Sequence, residues 1–292
     1  MLFLNNKPVT VKHFPDGTQM LLDINIPQGE RIDIKWLYEN DSELLTLIYL
    51  KRHIDNSISK RIDVHLTMPY IPNARMDRTK NISEVFTLKY FCEVINSLNF
   101  KNVTVFDPHS NVSTALLNNC TVLNSFILLK SVLNIIDNLM GPERSLWAQT
   151  LVFYFPDEGA YKRYKDIVGN DCDIIIGKKT RDWKTGKILG LDVYDGQGEK
   201  KLKGKALKGK IIVMMDDIVS YGGTLAYSAD KLKKLGADYI FAVVSHTENS
   251  VLDKKNGTLL KRLNKGIVNH LFTTDSIFTG NDKNISIAVS FK

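Results

Sequence analysis

The sequence contains little cysteine: three residues among 292, Cys92, Cys120 and Cys172, which are far apart and odd in number. A disulfide framework needs paired cysteines and a zinc site needs clustered ones, so neither is indicated. Long apolar runs are also missing, because the longest one, near Phe126, is interrupted by Lys130. The N-terminus lacks a basic region followed by an apolar stretch. These absences predict reduced cysteines and a soluble, cytoplasmic protein with no membrane partner.

The charge balance is basic. The chain has 39 lysine and arginine residues against 32 acidic ones, a formal net charge of +7. Such a charge suits small polyanions and would also suit nucleic acid. The clustered cations lie between Lys200 and Lys210, where a solvated face is the simpler interpretation, and no nucleic-acid-binding module accompanies them. Nucleic acid is therefore not an expected partner.

The most informative segment runs from residue 211 to residue 225. Five apolar residues, Ile211 to Met215, have the length of a buried parallel strand, and Leu225 to Leu235 follows with helical spacing. Two carboxylates, Asp216 and Asp217, and a glycine turn join them. Ligands collect beyond the carboxyl ends of strands in open α/β sheets. Helix-start amides surround phosphate well, so the pattern predicts a sugar-phosphate site. The predicted phosphate-binding residues are Ser220, Tyr221, Gly222, Gly223 and Thr224.

Strands and helices alternate along the chain, which predicts an α/β fold of two similar halves. The predicted elements are strands at 64–68, 103–106, 151–155, 173–176 and 239–245, and helices at 83–98, capped by Ser83, and near Tyr161. Gly141-Pro142 interrupts a helical pattern. We therefore predict an N-terminal domain at 1–140 and a C-terminal domain at 141–292.

The 211–225 segment resembles the phosphoribosyl-pyrophosphate motif shared by type I phosphoribosyltransferases and ribose-phosphate pyrophosphokinases. The first half distinguishes these families. Residues 68–78 read Met-Pro-Tyr-Ile-Pro-Asn-Ala-Arg-Met-Asp-Arg and are similar to the ATP-holding segment of the pyrophosphokinases. Arg75 and Arg78 are suited to grip triphosphate oxygens, while Asp77 orients an arginine or the base. Seen alone, such a segment is also typical of a surface ion pair.

Further matches to the pyrophosphokinases occur in the family's order. Phe14-Pro15-Asp16-Gly17-Thr18 resembles an early turn that reaches the ATP site of a neighbouring subunit, although Thr18 stands where the family has an acid. Asp107 and His109 resemble the family's Asp-x-His, whose histidine helps to hold the magnesium of Mg-ATP. The resemblance implies Phe14 and Asp16 as ATP contacts, and Asp107 and His109 as the metal site.

Two segments of the second half complete the match. Asp157, Glu158, Gly159 and Ala160 lie where the family has its pyrophosphate loop, with Ala160 replacing a glycine. Residues 178–181, Lys-Lys-Thr-Arg, resemble the mobile catalytic loop, which implies Lys179 and Arg181 as the principal catalytic cations. The alternative for this segment is a solvated basic hairpin closed by Thr185-Gly186.

The resemblance covers almost the whole chain. It implies two tandem type I phosphoribosyltransferase-like domains, each a mainly parallel sheet flanked by helices. The implied reaction is Mg²⁺-dependent transfer of the pyrophosphoryl group of ATP to C1 of ribose 5-phosphate. In such a transfer positioning and charge neutralisation dominate. Asp216 and Asp217 would hold the ribose 2- and 3-hydroxyls. The family also implies a homo-oligomer, a dimer or a hexamer.

One departure points to a different acceptor. Tyr221 stands where the family has a small threonine, and a ring there suits stacking by a longer 5-substituent. ADP-ribose, with the same chemistry at C1 and a place in NAD salvage, is therefore an alternative acceptor to ribose 5-phosphate. The chain is also short before Ile62, which resembles phage-type relatives; for a phage protein the location would be the host cytoplasm.

Two further functions stay open. A type I phosphoribosyltransferase would share the 211–225 motif but leave Arg75 to Arg78 and Asp107 to His109 unexplained. A non-catalytic regulatory partner of a pyrophosphokinase would be expected to lose the Lys-x-Arg that is present here at Lys179 and Arg181.

Overall fold

The computed structural model describes residues 1–26, 29, 31–57, 62–140, 149–169, 172–181 and 188–292; for residues 140, 180, 181, 188 and 189 it describes the backbone only. The chain divides into two compact units. Unit 1 comprises Met1–Asn124 with Phe291–Lys292, and unit 2 comprises Ser125–Ser290. Each unit is built on its own sheet.

Unit 1 contains eight strands and three helices within its described residues. In chain order these are β1 (Leu2–Leu4), β2 (Lys7–Pro8), β3 (Thr10–His13), β4 (Gln19–Leu22), β5 (Arg31–Trp36), α1 (Ser42–Ser57), β6 (Asp63–Thr67), α2 (Thr87–Ser97), β7 (Asn102–Phe106), α3 (Asn111–Leu116) and β8 (Cys120–Leu123). The main sheet has the order β2-β1-β5-β6-β7-β8, and β5 to β8 run parallel. Strands β3 and β4 form a separate hairpin. The buried core includes Ile32, Ile34, Leu47, Leu66 and Val105.

The helix predicted at 83–98 begins later than expected. Helix α2 starts at Thr87 with Phe86 at its N-cap. Ser83 does not cap it, because the Oδ1 of Asn81 accepts hydrogen bonds from the Ser83 amide at 3.0 Å and hydroxyl at 2.5 Å. An asparagine side chain that captures an amide two residues on stabilises a turn in place of a helix. The prediction of Ser83 as the cap was therefore wrong.

Unit 2 contains seven strands and four α-helices within its described residues. They are α4 (Phe126–Met140), β9 (Leu151–Phe155), α5 (Glu158–Val168), β10 (Asp173–Arg181), β11 (Ile188–Asp195), β12 (Ile211–Val219), α6 (Gly223–Lys234), β13 (Tyr239–Thr247), α7 (Thr258–Asn264), β14 (His270–Thr274) and β15 (Ile285–Val289). A 3₁₀ turn, Asn249–Leu252, follows β13. The sheet order is β11-β10-β9-β12-β13-β14-β15, parallel except for β11. Ile212, Met214, Leu232, Ile240 and Val244 lie in its core.

The chain divides after Asn124, whereas the sequence suggested 140. Helix α4 accounts for the difference, because it packs against β13, β14 and β15 of unit 2. The hydroxyl of Ser131 donates a hydrogen bond to the Ala288 carbonyl at 2.8 Å, which fixes the helix on that sheet. Gly141-Pro142, used to place the boundary, lies outside the described residues.

Both sheets are mainly parallel and flanked by helices, so the predicted α/β architecture of two phosphoribosyltransferase-like domains is confirmed. Within the described residues, no helix combines the length and apolar character that a membrane crossing requires.

Candidate active site

The two carboxylates of the 211–225 segment lie inside β12, not after it. The predicted strand ended at Met215, but β12 continues to Val219 because it stays paired with β13, from Ile211↔Tyr239 to Val219↔Thr247. Its pairing with β9 ends earlier, at Met214↔Tyr154. Asp216 and Asp217 therefore occupy the part of β12 that extends beyond β9, at the carboxyl end of the parallel strands.

Adjacent residues of a strand point to opposite faces, and these two aspartates have different surroundings. Burial raises the pKa of Asp216 well above its ordinary value, and the charges of Asp217 and Asp157 act in the same direction. Asp217 is 6% exposed. Its Oδ1 lies 2.9 Å from a guanidinium nitrogen of Arg163, on α5. The Asp-Asp pair thus contains one carboxyl that favours its proton and one that faces an arginine.

Lys179 forms the second ion pair of this region. Its ammonium lies 3.0 Å from Oδ2 of Asp157, and its side chain is 8% exposed. Burial acts to raise the pKa of Asp157, but Lys179 and the amide hydrogen bond from Ala160 outweigh it, so this pKa lies below its ordinary value. The predicted catalytic lysine and the predicted pyrophosphate-binding aspartate are therefore in direct contact.

The segment 178–181 belongs to β10, not to a loop after it. It pairs antiparallel with β11, Lys178 with Asp192 and Lys179 with Leu191. Strand alternation separates the two lysines: Lys178 is exposed and lies 4.8 Å from the Tyr194 ring centroid, whereas Lys179 turns toward Asp157. The predicted role of Arg181 concerns a side chain outside the described residues, as does the turn at Thr185-Gly186.

The predicted pyrophosphate loop is the start of a helix. Asp157 is the N-cap of α5 and accepts a hydrogen bond from the Ala160 amide at 3.1 Å. Glu158, Gly159 and Ala160 form the first helical turn, and their predicted pyrophosphate-binding role stays a prediction. An aspartate oxygen that satisfies a helix-start amide stabilises this conformation.

The predicted sugar-phosphate loop joins β12 to α6. Gly222 is the N-cap of α6 with a φ of 80°, and a Cβ there would lie 2.3 Å from Cβ of Leu259. Only glycine tolerates both the left-handed backbone and this close approach. Because Gly222 has no side chain, it does not cap the first amides of α6, at Gly223 and Thr224. Helix-start amides of this kind are suited to bind an anion.

Neighbouring elements hold this loop in place. The carbonyl of Tyr221 accepts hydrogen bonds from the amide and the hydroxyl of Thr258, both at 2.8 Å. The hydroxyls of Ser220 and Ser250 lie 3.0 Å apart. These contacts fix the backbone while the ring of Tyr221 stays 45% exposed. The loop is therefore preorganised, and its tyrosine is accessible.

In unit 1, the structure brings together the predicted ATP and metal residues that follow β6 and β7. Asp77, 6% exposed, accepts two hydrogen bonds from Arg78, at 2.8 and 3.0 Å. The hydrogen bond from Arg78 holds the pKa of Asp77 below its ordinary value, and the nearby His109 acts in the same direction. Asp107 is 4% exposed and has a φ of 38° directly after β7, while Arg75 is exposed.

Phe14 and Asp16 lie at the tip of the β3–β4 hairpin. Oδ1 of Asp16 accepts hydrogen bonds from the amide and hydroxyl of Thr18, at 2.9 and 2.7 Å. Phe14 is 49% exposed. The contacts of Asp16 are those of a tight turn, and its predicted ATP role stays a prediction.

The sequence is similar to those of known proteins over most of its length. Ribose-phosphate pyrophosphokinase 2 of Enterococcus faecalis is 24% identical over 293 residues, 94% of this chain and 78% of the relative. A ribose-phosphate pyrophosphokinase of Campylobacter jejuni is 27% identical over 286 residues, 91% of this chain and 78% of the relative. The chain is thus similar over most of its length to curated ribose-phosphate pyrophosphokinases. Family members are transferases, so the prediction of an enzyme is confirmed.

The crystal structure of phosphoribosylpyrophosphate synthetase from Mycobacterium smegmatis shows the same fold, with a TM-score of 0.65 over 97% of this chain and 86% of that chain at 16% identity. No protein-family model matches the sequence.

Sequence reasoning missed Arg163. A signal for it was present, since Arg163 lies in the second turn of the helix that begins at the Asp157 segment. Residues in the first two turns of a helix remain close to a site at its N-terminus. Its partner Asp217, however, is distant in sequence, and no local pattern connects the two.

Proposed function

We propose that this protein transfers the β,γ-pyrophosphoryl group of ATP to the C1 hydroxyl of ribose 5-phosphate, producing phosphoribosyl pyrophosphate and AMP. The hydroxyl oxygen attacks the β-phosphorus and loses its proton, and the bond between that phosphorus and the oxygen of the departing AMP breaks. The observation that carries the proposal is the group of Asp157, Lys179, Asp216 and Asp217 beside an uncapped helix start. The similarity to curated pyrophosphokinases over most of the chain supports it.

In this proposal, different residues of unit 2 bind different parts of the acceptor. The amides of Gly223 and Thr224 and the hydroxyl of Ser220 bind the 5-phosphate, since a preorganised helix start favours a dianion. Asp216 and Asp217 bind the 2- and 3-hydroxyls. Lys179 and Arg181 neutralise the charge on the transferred group; such cations contribute about 10³ to 10⁵ in rate in related phosphoryl transfers.

The residues of unit 1 bind ATP. Arg75 and Arg78 are the phosphate donors, and Asp77 orients the Arg78 guanidinium through the two hydrogen bonds already described. Within the described residues, no group of three or more acidic, histidine or cysteine side chains is arranged to hold a metal. Asp107 and His109 are the residues that would hold a Mg²⁺ ion, whose other ligands would come from ATP and water. Bound Mg²⁺ would neutralise triphosphate charge.

ADP-ribose is the second candidate acceptor, and the exposed Tyr221 ring favours it. The Thr258 contacts hold the Tyr221 backbone while its side chain projects from the phosphate loop. An aromatic ring in that place can stack on a group attached beyond the 5-phosphate. The chemistry at C1 is the same for both acceptors.

The experiment supplies Mg-ATP with ribose 5-phosphate or with ADP-ribose, and follows AMP formation together with the mass of the sugar product. AMP with a pyrophosphorylated ribose 5-phosphate supports the first acceptor. AMP with ADP-ribose alone supports the second and predicts that Tyr221→Thr reduces its use. AMP with neither acceptor contradicts the proposed function.

We also propose a homo-oligomer and Phe14 and Asp16 as ATP contacts, which the β3–β4 hairpin presents at its exposed tip. Light scattering at several protein concentrations measures the oligomer. Phe14→Ala is expected to raise KM for ATP if the hairpin contributes to the ATP site.

A further inference from the structure

The geometry points to Arg163 as a positioning residue that fixes Asp217 for the sugar hydroxyls. This inference rests on the proposed function, because it names a further residue of the same site. Arg163 is not part of the 211–225 segment or of residues 178–181, yet its guanidinium lies 2.9 Å from Oδ1 of Asp217. Both side chains are mostly buried, with 23% and 9% of their surfaces exposed.

Two contacts fix the part of α5 that carries Arg163. Asp157 caps the start of α5 through the Ala160 amide. Tyr164, next to Arg163 and completely buried, stacks on Phe155 with ring centroids 6.2 Å apart. The backbone that carries Arg163 is therefore fixed against β9. A side chain on such a backbone can hold a partner at a defined distance.

The charges of the site give Arg163 a separate task from Lys179. Burial raises the pKa of Asp216, and the charges of Asp217 and Asp157 act in the same direction, so the three carboxyl groups lie close together. Lys179 pairs with Asp157, and in the proposed reaction it moves its charge to the transferred phosphate. Arg163 pairs with Asp217, so it keeps a cation beside the sugar-binding carboxylates throughout the reaction.

An arginine suits this task better than a lysine. The guanidinium stays charged at all working pH values. Its buried nitrogen keeps that charge 2.9 Å from Oδ1 of Asp217 as an ion-pair contact without hydrogen-bond geometry. A carboxylate offers about four lone-pair sites. Asp217 can therefore contact Arg163 and still accept a hydrogen bond from a sugar hydroxyl.

The test compares Arg163→Met, Arg163→Lys and the control Lys162→Met, which removes a cation from an exposed neighbouring position of the same helix. KM for the acceptor that the wild type uses, KM for ATP and kcat are measured for each. For R163M we expect KM for the acceptor to rise by about 10²-fold, as for a misplaced binding group. Its KM for ATP should stay within about twofold of the wild-type value, because ATP is assigned to other residues. R163K should be intermediate, with KM for the acceptor raised about tenfold.

The outcomes separate this inference from the proposed function. If the wild type is active and R163M has the same kinetic constants as K162M, the role of Arg163 is overturned and the proposed function is not. An R163K variant with the wild-type KM for the acceptor has the same meaning. Equal losses for both substrates in R163M would indicate general loosening of α5 and also overturn the inference. If R163M does not fold by circular dichroism, R163K decides. If the wild type forms AMP with neither ribose 5-phosphate nor ADP-ribose, the proposed function and this inference are overturned together.

Discussion

The two units place their candidate cations differently. In unit 1, Arg78 pairs with the adjacent Asp77 and leaves 77% of its side chain exposed. In unit 2, Lys179 and Arg163 pair with residues far away in sequence and are 8% and 23% exposed. Both units use the carboxyl ends of a mainly parallel sheet. The same architecture thus supports an exposed site with local pairs and a buried site with long-range pairs.

This difference has a physical consequence. An exposed ion pair between neighbours contributes about 0 to 1 kcal/mol and can exchange partners readily. A buried pair is set by the surrounding packing, and removing one partner leaves a charge without compensation. We therefore expect unit 1 to respond to mutation mainly through ligand affinity. Unit 2 should respond through turnover and stability as well.

The largest expected effect is on turnover in unit 2. Lys179→Gln should lower kcat by about 10³-fold, because it removes the proposed charge-neutralising cation. The control is Lys178→Gln: the Lys178 ammonium donates to the Gly198 carbonyl at 2.8 Å, on the other face of β10. Steady-state AMP formation measures both. Similar kcat values for the two variants would contradict the assignment of Lys179.

Rigidity of the unit 2 loop is tested at Gly222. Gly222→Ala should destabilise the protein by about 2–4 kcal/mol, since it adds a left-handed backbone cost to overlap with Leu259. The control is Gly223→Ala, in helix α6, whose added Cβ would meet only the Thr258 hydroxyl at 4.0 Å. That change should be neutral or stabilise by up to about 1 kcal/mol. Urea denaturation compares the variants, and equal midpoints would show that the loop is not fixed by Leu259.

The neighbouring aspartates of β12 should have opposite effects on stability. Asp217→Asn weakens the ion-pair contact between Asp217 and the mostly buried Arg163 and should cost about 1–3 kcal/mol at pH 7. Asp216→Asn should stabilise the protein at the same pH, because the folded-state pKa of Asp216 is raised and asparagine carries no charge to bury.

The pH dependence of the Asp216 effect follows from linkage. Below about pH 3 the carboxyl is protonated in both the folded and unfolded states, so D216N and wild type should be equally stable. As the pH rises, the unfolded state ionises first, and the wild type loses stability relative to D216N until the raised folded-state pKa is passed. Melting temperatures from pH 4 to pH 8 measure this. A D216N advantage that shrinks with rising pH would contradict the raised pKa.

The smallest effect is expected in unit 1. Arg78→Ala should raise KM for Mg-ATP by about tenfold, the equivalent of about 1.4 kcal/mol, with little change in melting temperature. Arg31→Ala is a matched control, because Arg31 is also an exposed arginine that pairs with a near neighbour, Asp33, at 2.7 Å. Equal KM values for the two variants would remove Arg78 from the ATP site.

Local sequence was sufficient for the strands and for the residue types at their ends. The five apolar residues from Ile211 to Met215 predicted a buried parallel strand, and β9 has the predicted bounds, Leu151–Phe155. Element ends were less accurate. Strands β10 and β12 extend beyond their apolar runs because β11 and β13 supply hydrogen bonds to polar residues there. Those partners are remote in the chain, so no local pattern contains them.

By itself the sequence determined the alternation of apolar runs with helices, the family resemblance, and the positions of charged residues at strand ends. Only the tertiary structure decided that α4 packs in unit 2, that Lys179 meets Asp157, and that Arg163 meets Asp217. The reason is physical. Periodicity is a property of neighbouring residues, whereas an ion pair between distant residues depends on which strands lie side by side and which face each side chain occupies.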